Sequence, residues 1–316
     1  MRVVFFGTPA FAQAILEDLI KSTFQIVAVV TRPDQPQGRS LRLQPSPVKS
    51  YLLANRLEVP VYTPDKASSS EFIESIKRYD ADFFVVVGFG EILKQELLDV
   101  PKNAAINIHT SLLPAYRGAA PIQRAMMAGE KVIGITVMKM NAKMDAGAML
   151  LQKSINVDFR ETHFQVEAKM IELAKAAIKE VLSDFAAFDQ KKIEQNLDLV
   201  SAAPKINPED CLIDLQADAF SVQRKIMALS PKPGAYININ FLNESKRLKI
   251  LHAESTHHQF KEKNCILSES GKLFLVLNHE ALLINQLQLE GKAVFSALEF
   301  INGYKQYFPL NLELKF

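Results

Sequence analysis

Ala104-Ala105-Ile106-Asn107-Ile108-His109-Thr110-Ser111-Leu112-Leu113-Pro114 is the stretch on which the fold turns. Residues 104–109 read as a buried strand, and Pro114 forbids a regular continuation beyond it. Asn107 and His109 are two apart, so their side chains leave the strand on one face. They sit where the strand ends, and open α/β sheets place ligands beyond the C-terminal ends of their parallel strands. The loop that follows, Ser111 to Gln123 (SLLPAYRGAAPIQ), is long and irregular, a kind of segment that tends to carry function. Further on, Asp145 stands in Met144-Asp145-Ala146-Gly147. An Asn amide donates to a developing oxyanion. A His accepts and returns protons near neutral pH. An Asp fixes the imidazole and stabilises its cation. The bland alternative for a lone His at a strand end is a hydrogen-bonded structural residue.

Working outward, strands and helices alternate through the first part of the chain. Arg2–Phe6, Phe24–Thr31 and Asp82–Val87 are apolar runs suited to burial on both faces. Between and after them, helical patterns are expected at Ala10–Lys21, Pro47–Arg56 (with Ser46 as N-cap), Ser70–Tyr79 and Pro121–Ala128. Ile133–Met140 and Met149–Val157 read as strands and Thr162–Phe188 as one long helix. This alternation predicts an α/β fold with a Rossmann-like, mainly parallel sheet covered on both sides. The pattern changes near residue 190. Residues 190–207 are polar and suit a linker or an exposed connection. After the helix Asp218–Leu229 come five short apolar runs, 235–241, 247–253, 264–267, 273–277 and 281–289, which predict a small OB-like β-barrel. The expected organisation is therefore a domain over 1–189, a linker over 190–207 and a barrel domain over 208–316.

Composition narrows the classes. The chain has 316 residues, 48% of them hydrophobic, and a net charge of +2, enough for one large or two medium cores. No charge-free apolar run of about 18 residues predicts a membrane span. The two cysteines, Cys211 and Cys265, are not in a CxxC pair, which argues against a disulfide scaffold or a zinc site. None of the other histidines has a companion at metal-ligand spacing. We expect a cytoplasmic protein without a metal, and a monomer.

Three further loops follow predicted strands. Gly7-Thr8-Pro9 has one glycine and does not make a dinucleotide-binding fingerprint. Arg32 to Arg42 (RPDQPQGRSLR) is either a solvated surface loop or a basic loop that meets an anionic partner through Arg32, Arg39, Arg42 and the nearby Lys49. Val87 to Leu93 (VGFGEIL) is either an ordinary turn or a wall whose glycines let a flat ring approach the backbone.

Taken together, these residues resemble the methionyl-tRNA formyltransferases, a branch of the 10-formyltetrahydrofolate-dependent transferases. The resemblance runs through Phe6-Gly7-Thr8-Pro9, Arg32-Pro33-Asp34, Gly38-Arg39, Pro45-Ser46-Pro47-Val48-Lys49, Gly90-Glu91-Ile92-Leu93, the Asn107–Pro114 stretch, Arg117–Gln123 and Met144–Gly147. It implies that Asn107, His109 and Asp145 are catalytic and that no metal takes part. It implies that 10-formyltetrahydrofolate is the formyl donor, held by Ser111, Leu112, Leu113 and Pro114 and walled by Gly88, Phe89, Gly90 and Ile92. Arg32, Arg39, Arg42 and Lys49 would contact the initiator methionyl-tRNA, and the C-terminal barrel would assist. Ala10, Thr110, Ala148 and Ser40-Leu41 depart from the family pattern without removing a catalytic group. Two other functions stay open on the residues alone. One is a formyltransferase acting on an amino-sugar nucleotide or glycinamide ribonucleotide. The other is a non-catalytic RNA- or nucleotide-binding protein, which leaves the Asn-His-Asp set unexplained.

Overall fold

The computed structural model describes residues 1–37, 42–241, 244–278 and 280–312. By compactness the chain divides into two units. One comprises Met1–Gly118, Gly134–Ile155 and Ala168–Ala202; the other comprises Ala119–Ile133, Asn156–Glu167 and Ala203–Phe316.

The chain begins with β1 (Arg2–Gly7), α1 (Ala10–Ile20) and β2 (Gln25–Val30). A two-stranded antiparallel hairpin, β3 (Gln35–Gln37) and β4 (Arg42–Gln44), then precedes α2 (Pro47–Ala54). Next come β5 (Val61–Tyr62), α3 (Ser70–Lys77), β6 (Phe83–Val87), α4 (Gln95–Leu98), β7 (Ala104–His109) and α5 (Pro121–Ala128). β8 (Val132–Lys139), β9 (Met149–Asn156), α6 (His163–Ser183) and α7 (Phe185–Gln190) follow. The larger sheet has the order β5-β2-β1-β6-β7-β8-β9. Its pairs from β5 to β7 are parallel and β8 runs antiparallel to β7. The crossovers that parallel pairing requires are supplied by the helices, whose starts are set by local chemistry. The Ser46 hydroxyl accepts from the Lys49 N–H with Pro47 in the first turn, and Ser69 accepts from Phe72. Each such cap is worth about 1 kcal/mol. α5 stops at Gly129, whose φ of 85° is the left-handed conformation that closes many helices.

Register positions the site. Val30 pairs with Phe6, Phe6 with Val86, and Val86 with Asn107. These four residues form one row across four parallel strands, so the loops after β2, β1, β6 and β7 all leave one sheet edge. Three of the four, Val30, Phe6 and Val86, belong to an apolar cluster that also includes Val4, Phe84 and Ala105.

The helix expected over 162–188 is broken at Asp184, which lies outside helical geometry between α6 and α7. Asp is a poor helix-interior residue, and the break turns Phe185 edge-on to Phe83 of β6, with ring centroids 4.9 Å apart.

In the second unit α8 (Ala219–Leu229) is capped by Asp218, which accepts from the Ser221 N–H. Strands β10 (Ala235–Phe241), β11 (Glu244–Thr256), β12 (Cys265–Glu269), β13 (Lys272–Val276), β14 (Ala281–Leu289) and β15 (Val294–Ser296) follow, then α9 (Ala297–Tyr304) and β16 (Leu310–Asn311). Their antiparallel sheet has the order β10-β11-β14-β13-β12-β16, with β15 added against β14. β11 is longer than its apolar pattern predicts, and its pairing with β14 shifts register around His252. Such bulges bend a strand, and the sheet curls until Leu312 bridges Ile239 of β10. This curled sheet is the small barrel the strand spacing predicts. Its interior is packed with Ile237, Leu248, Ile250, Leu275, Ile284 and Leu287, with α8 residues Val222 and Ile226 in the same cluster. β15 and β16, of three and two residues, are too short to have shown a period.

Candidate active site

β7 delivers Asn107 and His109 to the sheet edge with only 9% and 6% of their surfaces exposed. They continue the face of Ala105 but lie outside its apolar cluster. The ring of His109 is held between two acceptors. Its Nε2 lies 2.9 Å from the Tyr116 carbonyl, and a carbonyl only accepts, so Nε2 carries a proton. Its Nδ1 faces Asp145 Oδ1 at 3.7 Å, an ion-pair distance too long for a hydrogen bond. The other oxygen of Asp145 accepts from the Gly118 backbone N–H at 2.9 Å. Among the described residues the Asn107 side-chain amide has no hydrogen-bond partner, so its donors are available to a bound molecule.

The backbone around His109 is held in an unusual conformation. Tyr116 and Asp145 have φ of 60° and 49°. A left-handed conformation costs a residue with a side chain roughly 1–2 kcal/mol. Gly147 has to be glycine for space, because a Cβ there would lie 1.8 Å from the Lys139 carbonyl oxygen.

The residues read as folate-holding divide into two groups. Ser111 and Leu113 are buried; the Ser111 hydroxyl donates to the Ala115 carbonyl and the Leu113 N–H to Thr136 Oγ1. Gln152 donates to the Leu113 carbonyl. These contacts set the shape of the loop, while Leu112 and Pro114 are partly exposed. In the 87–93 loop, Phe89 is in the core, edge-on to Phe6, and its carbonyl accepts from Thr8 Oγ1. Gly88 and Gly90 are exposed, with φ of 54° and 84°, and a Cβ on Gly90 would meet nothing within 4 Å. Ile92 is 63% exposed. The open backbone and the free apolar side chain fit the edge of a flat ring.

The basic loop is more tied than its composition implies. Arg32 Nη1 sits 3.6 Å from Glu91 Oε2 and 3.4 Å from the Gly90 carbonyl. Lys49 Nζ lies 2.8 and 3.0 Å from the two oxygens of Asp34. Thr31 and Ser46 share a buried hydroxyl contact of 2.7 Å. Arg42 is exposed at the start of β4, and Arg39 lies outside the described residues.

Two contributors were not legible as site residues. Gln195, in the stretch expected as a linker or exposed connection, is only 8% exposed and bonds to the backbone of both Asp145 and Gly147. A lone Gln in a polar stretch gives no sequence signal. Tyr116 acts through its carbonyl, which every residue has. Other histidines stand apart from the set: burial pushes His163 of α6 down to about 4 and keeps it neutral, and His258 pairs with Glu269. Among the described residues there is no metal-binding group of three or more His, Cys, Asp or Glu, and no helix long and apolar enough to cross a membrane.

Comparison with known proteins agrees with this geometry. Residues 1–182 match the formyl transferase family and 205–305 its C-terminal domain. A methionyl-tRNA formyltransferase of Protochlamydia amoebophila (strain UWE25) is 41% identical over 304 residues, 96% of this chain and 95% of that one. One from Thermotoga maritima is 43% identical over 235 residues, 74% of each chain. Among solved structures, a variant of HypX from Aquifex aeolicus aligns with a TM-score of 0.66 over 97% of this chain, at 17% identity; this chain spans 48% of that one. WlaRD, a sugar 3N-formyl transferase, aligns with a TM-score of 0.63 over 93% of this chain and 99% of its own, at 16% identity. These two distant structures share the fold, and the two close relatives share far more of the sequence. The chain belongs to the methionyl-tRNA formyltransferase family.

Proposed function

We propose that this enzyme transfers the formyl group of 10-formyltetrahydrofolate to the α-amino group of initiator methionyl-tRNA, giving N-formylmethionyl-tRNA and tetrahydrofolate. The observation that carries the reading is His109 held between a carbonyl and a carboxylate, beside an Asn107 amide with no hydrogen-bond partner among the described residues. The neutral amine attacks the formyl carbon, a nitrogen–carbon bond forms, and the formyl oxygen gains negative charge. The Asn107 amide donates to that oxygen. Before substrates bind, His109 Nε2–H donates to the Tyr116 carbonyl; the oxyanion competes for the same proton. As the carbon–N10 bond breaks, His109 gives its Nε2 proton to N10 of the departing folate and the same nitrogen then takes up the proton released by the amine. Asp145, fixed by the Gly118 N–H, holds the imidazole and balances its charge.

The exposed backbone of Gly88 and Gly90 with Ile92, and the 111–114 turn, receive the donor. Arg42 and Arg39 meet the tRNA, Arg32 and Lys49 acting through the same loop. In this division of labour residues 1–189 carry the chemistry, 190–207 connect, and 208–316 assist tRNA binding, in a protein that works as a cytoplasmic monomer. The test is formyl transfer from 10-formyltetrahydrofolate to charged initiator methionyl-tRNA, with His109→Ala and an amino-sugar nucleotide acceptor run alongside. Transfer to the tRNA alone, lost in the variant, supports the reading. Transfer to the sugar nucleotide instead overturns the acceptor but keeps the centre.

A further inference from the structure

We propose that Gln195 is a positioning residue for the His109–Asp145 pair, and that residues 193–201 form a clasp holding both partners of the His109 ring. The inference rests on the catalytic reading of that pair. Ile193 and Met149 exchange backbone hydrogen bonds of 2.8 and 2.9 Å, which pins the clasp beside the loop that carries Asp145. Two residues on, Gln195 is buried and all of its amide is used. Nε2 donates to the carbonyls of Asp145 (2.9 Å) and Gly147 (2.8 Å), and Oε1 accepts from Arg117 Nε (3.1 Å) and Nη2 (2.7 Å). Further along, Ser201 Oγ accepts from the Tyr116 N–H and the Ser201 carbonyl accepts from the Arg117 N–H.

Each contact lands beside a group that touches His109. Tyr116 supplies the carbonyl on Nε2, Gly118 orients the carboxylate, and Asp145 supplies that carboxylate. Both Tyr116 and Asp145 adopt left-handed backbone, which persists only where the surroundings over-determine it. Gln195 supplies that determination at Asp145. It crosses from the 145–147 turn to Arg117, so one side chain sets the separation of the two segments that flank the imidazole. No other residue type does this without loss. Glu keeps the acceptor for Arg117 but turns an oxygen toward two carbonyls; Met keeps the length and loses every hydrogen bond.

The experiment compares Gln195→Glu and Gln195→Met with the parent enzyme by initial rates against both substrates, across pH, with thermal melting as a control. A misplacement of about 1 Å costs on the order of 100-fold in rate. We expect kcat to fall 10- to 100-fold in the variant that folds, KM for tRNA and donor to stay within about twofold, and the pH–rate inflection to move. A kcat loss that only tracks the folded fraction, with an unmoved pH profile, overturns the inference. So does a raised KM at unchanged kcat. His109→Ala is run in parallel: if it retains activity the parent reading fails, whereas its loss with an unaffected Gln195→Met enzyme sinks only the role of Gln195.

Discussion

Two loops leave the same sheet edge and are built to opposite specifications. The loop after β7 is tied along its length: Ser111 to Ala115, Leu113 to Thr136 and Gln152, Tyr116 to Ser201, Gly118 to Asp145. The loop after β2 is tied at its feet, by Thr31 to Ser46 and Lys49 to Asp34, and then runs out into the short β3–β4 hairpin. Proton transfer and oxyanion stabilisation need groups held within a few tenths of an ångström, so their loop is fastened to rigid strands. Meeting a large, hydrated polyanion needs reach and charge, and a basic hairpin whose described ties lie at its base suits both. The contrast fits the proposed division, with catalysis in one loop and recognition in the other, and it is open to attack from both sides.

The largest effect belongs to the fastened loop. His109→Ala and Asn107→Ala should each lower kcat by about 100-fold or more, measured as initial rates of formyl transfer. Truncating the Asn107 side chain breaks no hydrogen bond among the described residues, so the melting temperature should hardly move. Near-normal rates in both variants would dissolve the distinction between the loops.

Gly147→Ala sharpens the same side without touching a reacting group. The new methyl would stand 1.8 Å from the Lys139 carbonyl oxygen, so the turn carrying Asp145 has to move. Overpacking of this kind costs about 1–3 kcal/mol. Rates should fall at least tenfold, and denaturant melts should show the loss of stability. An enzyme with full activity would mean that the Asp145 turn tolerates displacement and that fastening is not what the chemistry needs.

How much of this contrast was readable in advance depends on the range of the contacts. β7 was legible to its end residues because an apolar run closed by a proline is a local signal. That Asn107, His109 and Asp145 are candidates was legible because their chemistry is written in residue type, and the structure brings His109 and Asp145 together. The anchoring was not. Gln195 meets Asp145 and Arg117, which are 50 and 78 residues away, and Arg32 meets the Gly90 carbonyl across 58. The resemblance puts Phe89 in the wall of the folate pocket; the structure draws its ring into the core against Phe6, as an apolar side chain just past a central strand is bound to be. Arg32 and Lys49 were counted as charges for tRNA because their carboxylate partners, Glu91 and Asp34, do not announce themselves by spacing.

That last point gives the smaller predictions. Arg42→Ala should raise KM for tRNA a few-fold with kcat nearly unchanged, and should lower the slope of log affinity against log salt by about one phosphate contact. Arg32→Ala should behave differently, because its guanidinium already sits between the Gly90 carbonyl and Glu91. It should alter the salt slope less than Arg42→Ala, with a stability loss of about 1 kcal/mol or less, as for other partly exposed pairs.

Lys49→Ala is expected to do least. Lys49 and Asp34 are each roughly 30% exposed, and a pair so placed contributes at most about 1 kcal/mol. The Thr31–Ser46 contact is buried and closes the same foot without charge. If the foot is held by both, losing Lys49 should leave the melting temperature within a few degrees and move KM for tRNA less than Arg42→Ala does. Asp34→Asn should match it, and the double variant should be no worse than either single one, the signature of a pair acting mainly on itself. A Lys49 variant that raises KM more than Arg42→Ala, with Asp34→Asn lowering it, would show that Lys49 leaves Asp34 to bind tRNA. The foot would then belong to the recognition surface, and the line between anchored and reaching parts of this loop would move inward to Thr31 and Ser46.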